Sequence, residues 1–400
     1  MELRLKIIYS DFMDEITKND ILRKIEEHLD KQGISLLECH IEYDGILILT
    51  GGTEQAVANE INQQVLDKII LFTHRGNNSL AAALEISASF QRQNRSVKII
   101  DLEAGEIDFD TNQNNLSEQK AKSSLLGYRL GVIGKPSNWL IASTYSAEVL
   151  QRRWGIELQK VEIAYLRELI SKHLSDSDSK EVRQYSGEVR EPDGQDLLNS
   201  QAVYLALKEI ITEYELDALT IRCFDLVVED KMTACYALGR LNASNFPAGC
   251  EGDIASITGM MWAKKVHDKI PWMANPVRID RERSVITLAH CTAPLSDLEN
   301  VVMRSHFESG LGVGIQGKLK YDEVTLFRLG GEYLEDIWAA EGRVTGHLQE
   351  ENLCRTQLEI SLDAGDLKAL IDKPLGNHLL VLSGRYKKEI LATDFTDLHG

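Results

Sequence analysis

The chain has 400 residues, with 44 Lys and Arg against 62 Asp and Glu, a formal net charge of −18 and a pI near 5.1. A hydrophobic fraction of 43% and a charged fraction of 26% are those of a globular protein, and at this length two or three domains are expected. So acidic a surface offers no counterion-releasing basic stripe, which excludes a general nucleic-acid-backbone binder and leaves open a small ligand in a local pocket.

The opening Met1-Glu2-Leu3-Arg4-Leu5-Lys6-Ile7-Ile8-Tyr9 reads as a strand, without the long apolar core and small-residue cleavage site of a signal peptide. No run approaches the roughly eighteen apolar residues of a membrane span, so no membrane partner is expected. The cysteines at 39, 223, 235, 250, 291 and 354 form no CxxC pair, as expected of reduced thiols in a cytoplasmic protein. Residues 14–31 carry helical periodicity through Ile16, Ile21, Leu22, Ile25 and Leu29. Ile46-Leu47-Ile48-Leu49 is an apolar run closed by Thr50-Gly51-Gly52-Thr53-Glu54. A second run at 68–72 is closed by Thr73-His74-Arg75-Gly76-Asn77-Asn78-Ser79, with a helix predicted over 80–92 and a strand over 96–101. Apolar strands ended by polar, Gly-containing turns and alternating with helices imply a parallel α/β layer. Ligands collect at the carboxyl ends of such strands, so both turns are candidate pocket walls. The Gly-Gly-Thr-Glu turn lacks the spacing and the Lys-Ser/Thr of a phosphate loop. His74 and Asn78 are candidate substrate contacts, or equally caps of the next helix.

Residues 103–124 are polar with few apolar anchors and read as a linker. A second α/β unit follows, with a strand over 130–133, the turn Gly134-Lys135-Pro136-Ser137-Asn138-Trp139 and a helix through Leu150. Residues 174–199 read as an exposed excursion, 202–214 as a helix, 218–223 as a strand and 233–241 as a helix. The turn Asn245-Phe246-Pro247-Ala248-Gly249-Cys250-Glu251-Gly252-Asp253 then delivers a thiol and two carboxylates to a helical run at Ile254, Ile257, Met260 and Met261. Free N–H groups and the helix dipole favour negative charge there, so Asp253 fits an N-cap with Glu251 nearby. Beyond it, short strands are predicted over 272–276, 284–290, 313–319, 324–329, 338–346, 355–360 and 378–384, implying a β-rich third domain, sandwich or barrel. Trp262, Trp272 and Trp338 are expected in the core, where an alternative use is stacking on a sugar face.

His290 ends one of those strands, His306 precedes a Gly-rich one and His378 opens the last. A strand-end histidine taken singly is a structural residue more often than a ligand. Two neutral imidazoles with one or two carboxylates are, however, what a borderline divalent ion such as Mn²⁺ accepts, with positions left for substrate oxygens. Such an ion holds neighbouring sugar oxygens while a carboxylate moves a proton between adjacent carbons.

Cys250-Glu251-Gly252-Asp253, Leu288-Ala289-His290 and Gly376-Asn377-His378 together resemble segments of the L-fucose/L-arabinose isomerase superfamily, in particular its shorter fucose-isomerase-related proteins. The resemblance runs from the Thr50–Glu54 turn to Asn377-His378 and includes Phe224-Asp225, Thr233-Ala234-Cys235 and Val324-Thr325-Leu326-Phe327-Arg328-Leu329. It implies an α/β protein of two Rossmann-like parallel α/β domains (1–125 and 126–267) followed by a β-rich C-terminal domain (268–400). It implies Mn²⁺ held by Glu251, His290 and His378, with His290 alternatively a substrate contact. Glu251, aided by Asp253 and Asn275, would carry an aldose–ketose exchange through an enediol, in a homo-oligomer of trimeric or hexameric type. The family's second catalytic carboxylate falls at Ala274 or Asn275, depending on a one-residue register, and neither is an acid. Two alternatives therefore stand beside the isomerase expectation. One is a sugar-binding or regulatory homologue with altered or lost catalysis, the other a different enediolate reaction such as a lyase step.

Overall fold

Apolar runs separated by helices pair side by side in parallel, and they do so in two places in this chain. The computed structural model describes residues 2–41, 43–64, 69–103 and 125–392, so the linker predicted after Glu103 lies outside the described residues. The first sheet takes β1 (Glu2–Ile8), β2 (Ser35–Glu38), β3 (Gly45–Ile48), β4 (Ile69–Thr73) and β5 (Val97–Asp101) in the order β2-β1-β3-β4-β5. Every pair in it is parallel. The helices Glu15–Asp30, Glu54–Gln64 and Ser79–Arg92 lie between its strands in sequence, and Asp14 caps the first by accepting from the Thr17 N–H. β3 is buried on both faces, as a central strand of a doubly covered sheet must be. In this order the connections reverse between β1 and β3, which opens a crevice at the carboxyl ends of those two strands.

The second parallel sheet takes β6 (Arg129–Ile133), β7 (Glu157–Val161), β9 (Ala218–Ile221) and β10 (Ala248–Gly249) in the order β10-β9-β6-β7. Between them the structure corrects the reading of 174–199 as a loop. That stretch holds the helix Ser179–Arg183, a short strand β8 (Glu188–Val189) and the start of the helix Gly194–Glu213. Its Ser and Asp residues are partly caps: Asp178 caps one helix and Asp193 forms a reciprocal capping box with Asp196. Val182 and Leu197, both fully buried, anchor the segment.

From β11 (Trp272–Asp280) and β12 (Val285–His290) onward the pairing becomes antiparallel apart from β8. β13 (Leu298–Arg304) pairs with β14 (Gly314–Leu319) and, in parallel, with β8. β15 (Glu323–Gly330), β16 (Asp336–Gly346), β17 (Thr356–Leu362) and β18 (Leu379–Ser383) close with β11 and β12 into a barrel of order β11-β12-β17-β16-β15-β18. The chain is thus mixed α/β, with two parallel sheets and a closed antiparallel barrel. Trp262, Trp272 and Trp338 pack in the core, as expected. No helix among the described residues is long and apolar enough to cross a membrane.

Candidate metal centre and its cavity

Glu251 lies just beyond β10, after Cys250, and its position is set by backbone geometry. Its φ of 62° and the φ of 74° at Gly252 place consecutive residues in the left-handed region. Gly252 is required there for a second reason: a Cβ would lie 2.7 Å from the Cα of Pro136. The turn therefore docks closely on the 134–139 turn beyond β6, where the Ser137 N–H donates to the Glu251 carbonyl at 2.9 Å. From that turn the Trp139 indole N–H donates to Glu251 Oε2 at 2.7 Å. A left-handed non-glycine residue at a ligand-bearing position is strain of the kind that marks functional sites.

Around Glu251 the barrel brings His290, at the end of β12, and His378, immediately before β18. One ligand atom from each of Glu251, His290 and His378 lies within 4.8 Å of the other two. His378 is fully buried; its Nδ1 is 2.8 Å from Asp253 Oδ2, and its Nε2 is 3.4 Å from Glu251 Oε1 without hydrogen-bond geometry. A buried imidazole nitrogen with no hydrogen-bond partner, aimed at a carboxylate, is an open ligand position. The Asp253 carboxylate behind the ring is the support that fixes which nitrogen is presented. His290 Nδ1 is engaged by the Thr292 hydroxyl at 2.6 Å, which leaves its other ring nitrogen for a ligand. Two imidazoles and a carboxylate, buried and supported from behind, fit a borderline divalent cation.

Asp253 does cap the helix Ile254–His267, accepting from the Ser256 N–H at 2.7 Å and the Ser256 hydroxyl at 2.8 Å. It also meets Arg328 of β15 at 3.1 Å, with both side chains almost completely buried. Arg328 reaches on to Ser143, whose hydroxyl donates at 2.7 Å to Glu85 on the helix Ser79–Arg92. Glu85 further accepts from the Ala142 N–H at 2.7 Å and the Asn377 N–H at 3.0 Å. One buried chain of charge and hydrogen bonds thus ties the first helical layer, the second sheet and the barrel to the back of His378.

Protonation follows from this wiring. For His378, burial pulls the pKa down, but the charge of Glu251 and the bond to Asp253 outweigh it and raise it to about 9. For Glu251, burial pulls upward, and the charge of His378 with the His378 and Trp139 contacts holds it below the usual carboxylate range. Asp253 is held lower still against burial, chiefly by Arg328 and then His378. His290 is pushed down to about 3 by burial and then by His378, and so stays neutral.

A cavity of about 250 Å³ opens beside Glu251. Its walls come from the carboxyl ends of strands in both parallel sheets. Ser10 beyond β1, Thr50, Gly51, Gly52 and Glu54 beyond β3 and Asn77–Asn78 beyond β4 join Trp139 beyond β6, Phe224 beyond β9 and Glu251 beyond β10. The barrel side adds Asn275, Phe307, Glu308 and Asn377. Both turns read as candidate walls in the sequence contribute, at the switch point of the first sheet.

Asn78 lines the cavity; it sits at an N-cap position with φ 57° but makes no side-chain cap bond, and instead donates to Glu308 at 2.7 Å. His74 is placed elsewhere, its ring N–H spent on the Leu49 carbonyl at 2.8 Å. Asp253 supports His378 from behind rather than lining the cavity. Of the two positions open to the family's second carboxylate, Asn275 lines the cavity and Ala274 is fully buried in β11. His306 packs its ring edge-on to Phe224 at 5.6 Å and meets Ser309. The residues that sequence reasoning passed over are Trp139, Glu85, Arg328, Glu54 and Glu308. An arginine inside the apolar run Val324–Leu329 was a usable signal, since a buried guanidinium demands a partner. Neither a scan of protein-family models nor a search of curated proteins finds a match for this chain.

Proposed function

We propose that this chain is a metal-dependent aldose–ketose isomerase of the L-fucose/L-arabinose type, acting on a sugar or sugar derivative through an enediol. The observation that carries the reading is the convergence of Glu251, His290 and His378, far apart in sequence, within 4.8 Å of one another. A divalent cation, Mn²⁺ by the resemblance, would be held by these three residues and would polarise neighbouring sugar oxygens. Glu251 is the anionic group beside the cavity and takes the proton from the carbon next to the carbonyl; His378 and Trp139 orient it. Asp253 and Arg328 fix His378, and Asn275 and Asn78 offer amide groups to sugar hydroxyls. With the reading go two Rossmann-like domains and a β-rich domain divided near 125 and 267, a cytoplasmic setting and a trimeric or hexameric assembly.

Glu251→Gln is expected to lower deuterium exchange at the carbon beside the carbonyl at least ~100-fold across an NMR-assayed sugar panel, with the fold intact. Undiminished exchange in that variant overturns the assignment. One observation favours a second reading, a sugar-binding homologue without turnover: Asn275, one of the two positions open to the family's second acid, stands on the cavity wall, and an amide does not shuttle protons. Sugar binding by the Mn²⁺-loaded protein with no exchange on any sugar would decide for that reading.

A further inference from the structure

Glu54 is the first residue of the helix Glu54–Gln64, beyond the carboxyl end of β3, and it is 1% exposed. It lines the same cavity as Glu251. Among the described residues its Oε2 has no hydrogen-bond partner, which is costly for a buried oxygen unless something else meets it. Three further buried oxygens on the cavity wall, Asn78 Oδ1, Asn275 Oδ1 and Asn377 Oδ1, are also without partners. Orphaned oxygens gathered around one cavity point to a ligand carrying several hydroxyl groups.

The carboxyls of this cavity are not equivalent. Glu251 is tied to Trp139 and faces His378, while Glu308 receives the amide of Asn78. Among the described residues no cationic side chain is paired with Glu54. Burial, with the charges of Glu85, Glu251 and Glu308 adding to it and only its own backbone N–H opposing, drives its pKa well above the ordinary range. Burial pushes Glu308 up as well, but the Asn78 amide already engages it, so Glu251 held low and the unpartnered Glu54 held high are the two that divide the roles of base and acid.

We propose that Glu54 is the second carboxyl that touches the ligand, meeting a ligand oxygen with its proton. Resting on the isomerase reading, the exchange then balances as follows. Glu251 takes the proton from the carbon beside the carbonyl, the C–H pair forms the carbon–carbon double bond, and the carbonyl oxygen takes the Glu54 proton, giving the neutral enediol. In the second half Glu54 removes the proton of the other hydroxyl, that oxygen closes to a carbonyl, and Glu251 returns its proton to the adjacent carbon. Both side chains end as they began, and no further reactant is consumed.

The test compares full-length wild type with Glu54→Gln, and with Glu308→Gln as a control for the neighbouring acid. Infrared difference spectra at pH 7 read the carbonyl stretch of protonated carboxylic acids, with and without the unreactive polyol xylitol. The expected result is an acid band that is lost in Glu54→Gln, kept in Glu308→Gln, and shifted by xylitol in the wild type. Xylitol affinity should fall far less in Glu54→Gln than proton exchange on a reacting sugar, which drops at least ~100-fold. A wild type with no band removed by Glu54→Gln, or a band that ignores xylitol, overturns the proposal, as does exchange at the wild-type rate in Glu54→Gln. If the band responds to xylitol but no sugar exchanges even in the wild type, Glu54 stands as the proton-bearing ligand contact and the isomerase reading fails.

Discussion

Asp253→Asn separates the two duties of the carboxylate behind His378. Asparagine keeps the shape and is a good N-cap, so the helix Ile254–His267 retains its start. What is lost is the charge between Arg328 and His378, at 3.1 and 2.8 Å, in a site where both Asp253 and Arg328 are almost wholly buried. Breaking a buried ion pair from one side costs about 3–5 kcal/mol, because the surviving charge stays buried. Arg328 keeps the Ser143 and Ser256 hydroxyls, so the lower end, about 3 kcal/mol, is expected from urea unfolding of the metal-free protein. The second duty is orientation of a ligand imidazole, and removing such a support costs about 10–100-fold in metal affinity. Mn²⁺ titration should therefore show a dissociation constant raised by that factor. Arg328→Met gives the companion measurement, and the double variant should be more stable than the sum of the single losses by well over the ~0.5 kcal/mol expected of independent sites. Additive losses, or an Asp253→Asn protein within about 1 kcal/mol of wild type, would refute the buried pair as the support of His378.

In the metal-free protein the two site histidines contribute to stability with opposite pH dependence, their limbs diverging from pH 6.5. The folded pKa of His378 is raised from 6.5 to about 9, so its contribution is complete below 6.5 and lost as pH rises through 9. That of His290 is lowered from 6.5 to about 3, so its contribution is complete above 6.5 and drains away as pH falls toward 3. Each limb has a limiting slope of about 1.4 kcal/mol per pH unit. His378→Gln should remove its own alkaline contribution in urea unfolding at a series of pH values, and an alkaline slope that is undiminished contradicts the assignment. At position 251, where φ is 62°, Glu251→Gly should be about 1 kcal/mol more stable than Glu251→Ala, because only glycine adopts that backbone without strain. Equal unfolding midpoints would remove the claim of strain. Asn275→Asp adds a carboxylate to a cavity already holding Glu54, Glu251 and Glu308, so it should destabilise the metal-free protein by about 1–3 kcal/mol and regain much of that on Mn²⁺ loading. No loss without metal would contradict the crowding of acids in this cavity.

The fold was most legible where burial is symmetrical. β3 and β4 are continuous apolar runs because helices cover both faces, and the polar turns after them were readable as pocket walls for the same reason. β7, Glu157–Val161, was missed because among the described residues it pairs only with β6, and its exposed and half-buried residues break any apolar run. β13 was missed in the same way, with exposed Glu299 and Asn300 near its start. The site divides along a different line. Asp253 was readable as a cap because capping is local, and it caps; that it also holds His378 and Arg328 depends on strands that follow much later in the chain. Glu251, His290 and His378 were nameable as types suited to a metal, but only the closure of β18 between β11 and β15 sets His378 beside the β10 turn.

Glu54 shows what local reading leaves out. At a helix start a glutamate is favoured by the dipole and invites no further question. The question arises only once the folded chain covers it, leaving a carboxyl that is 1% exposed and that no cationic side chain among the described residues meets. Asn275, on the opposite side of the same cavity, then takes on a different meaning. A site with Glu251 anionic and Glu54 neutral already holds one base and one acid, and an amide at 275 adds no further negative charge for the fold to neutralise.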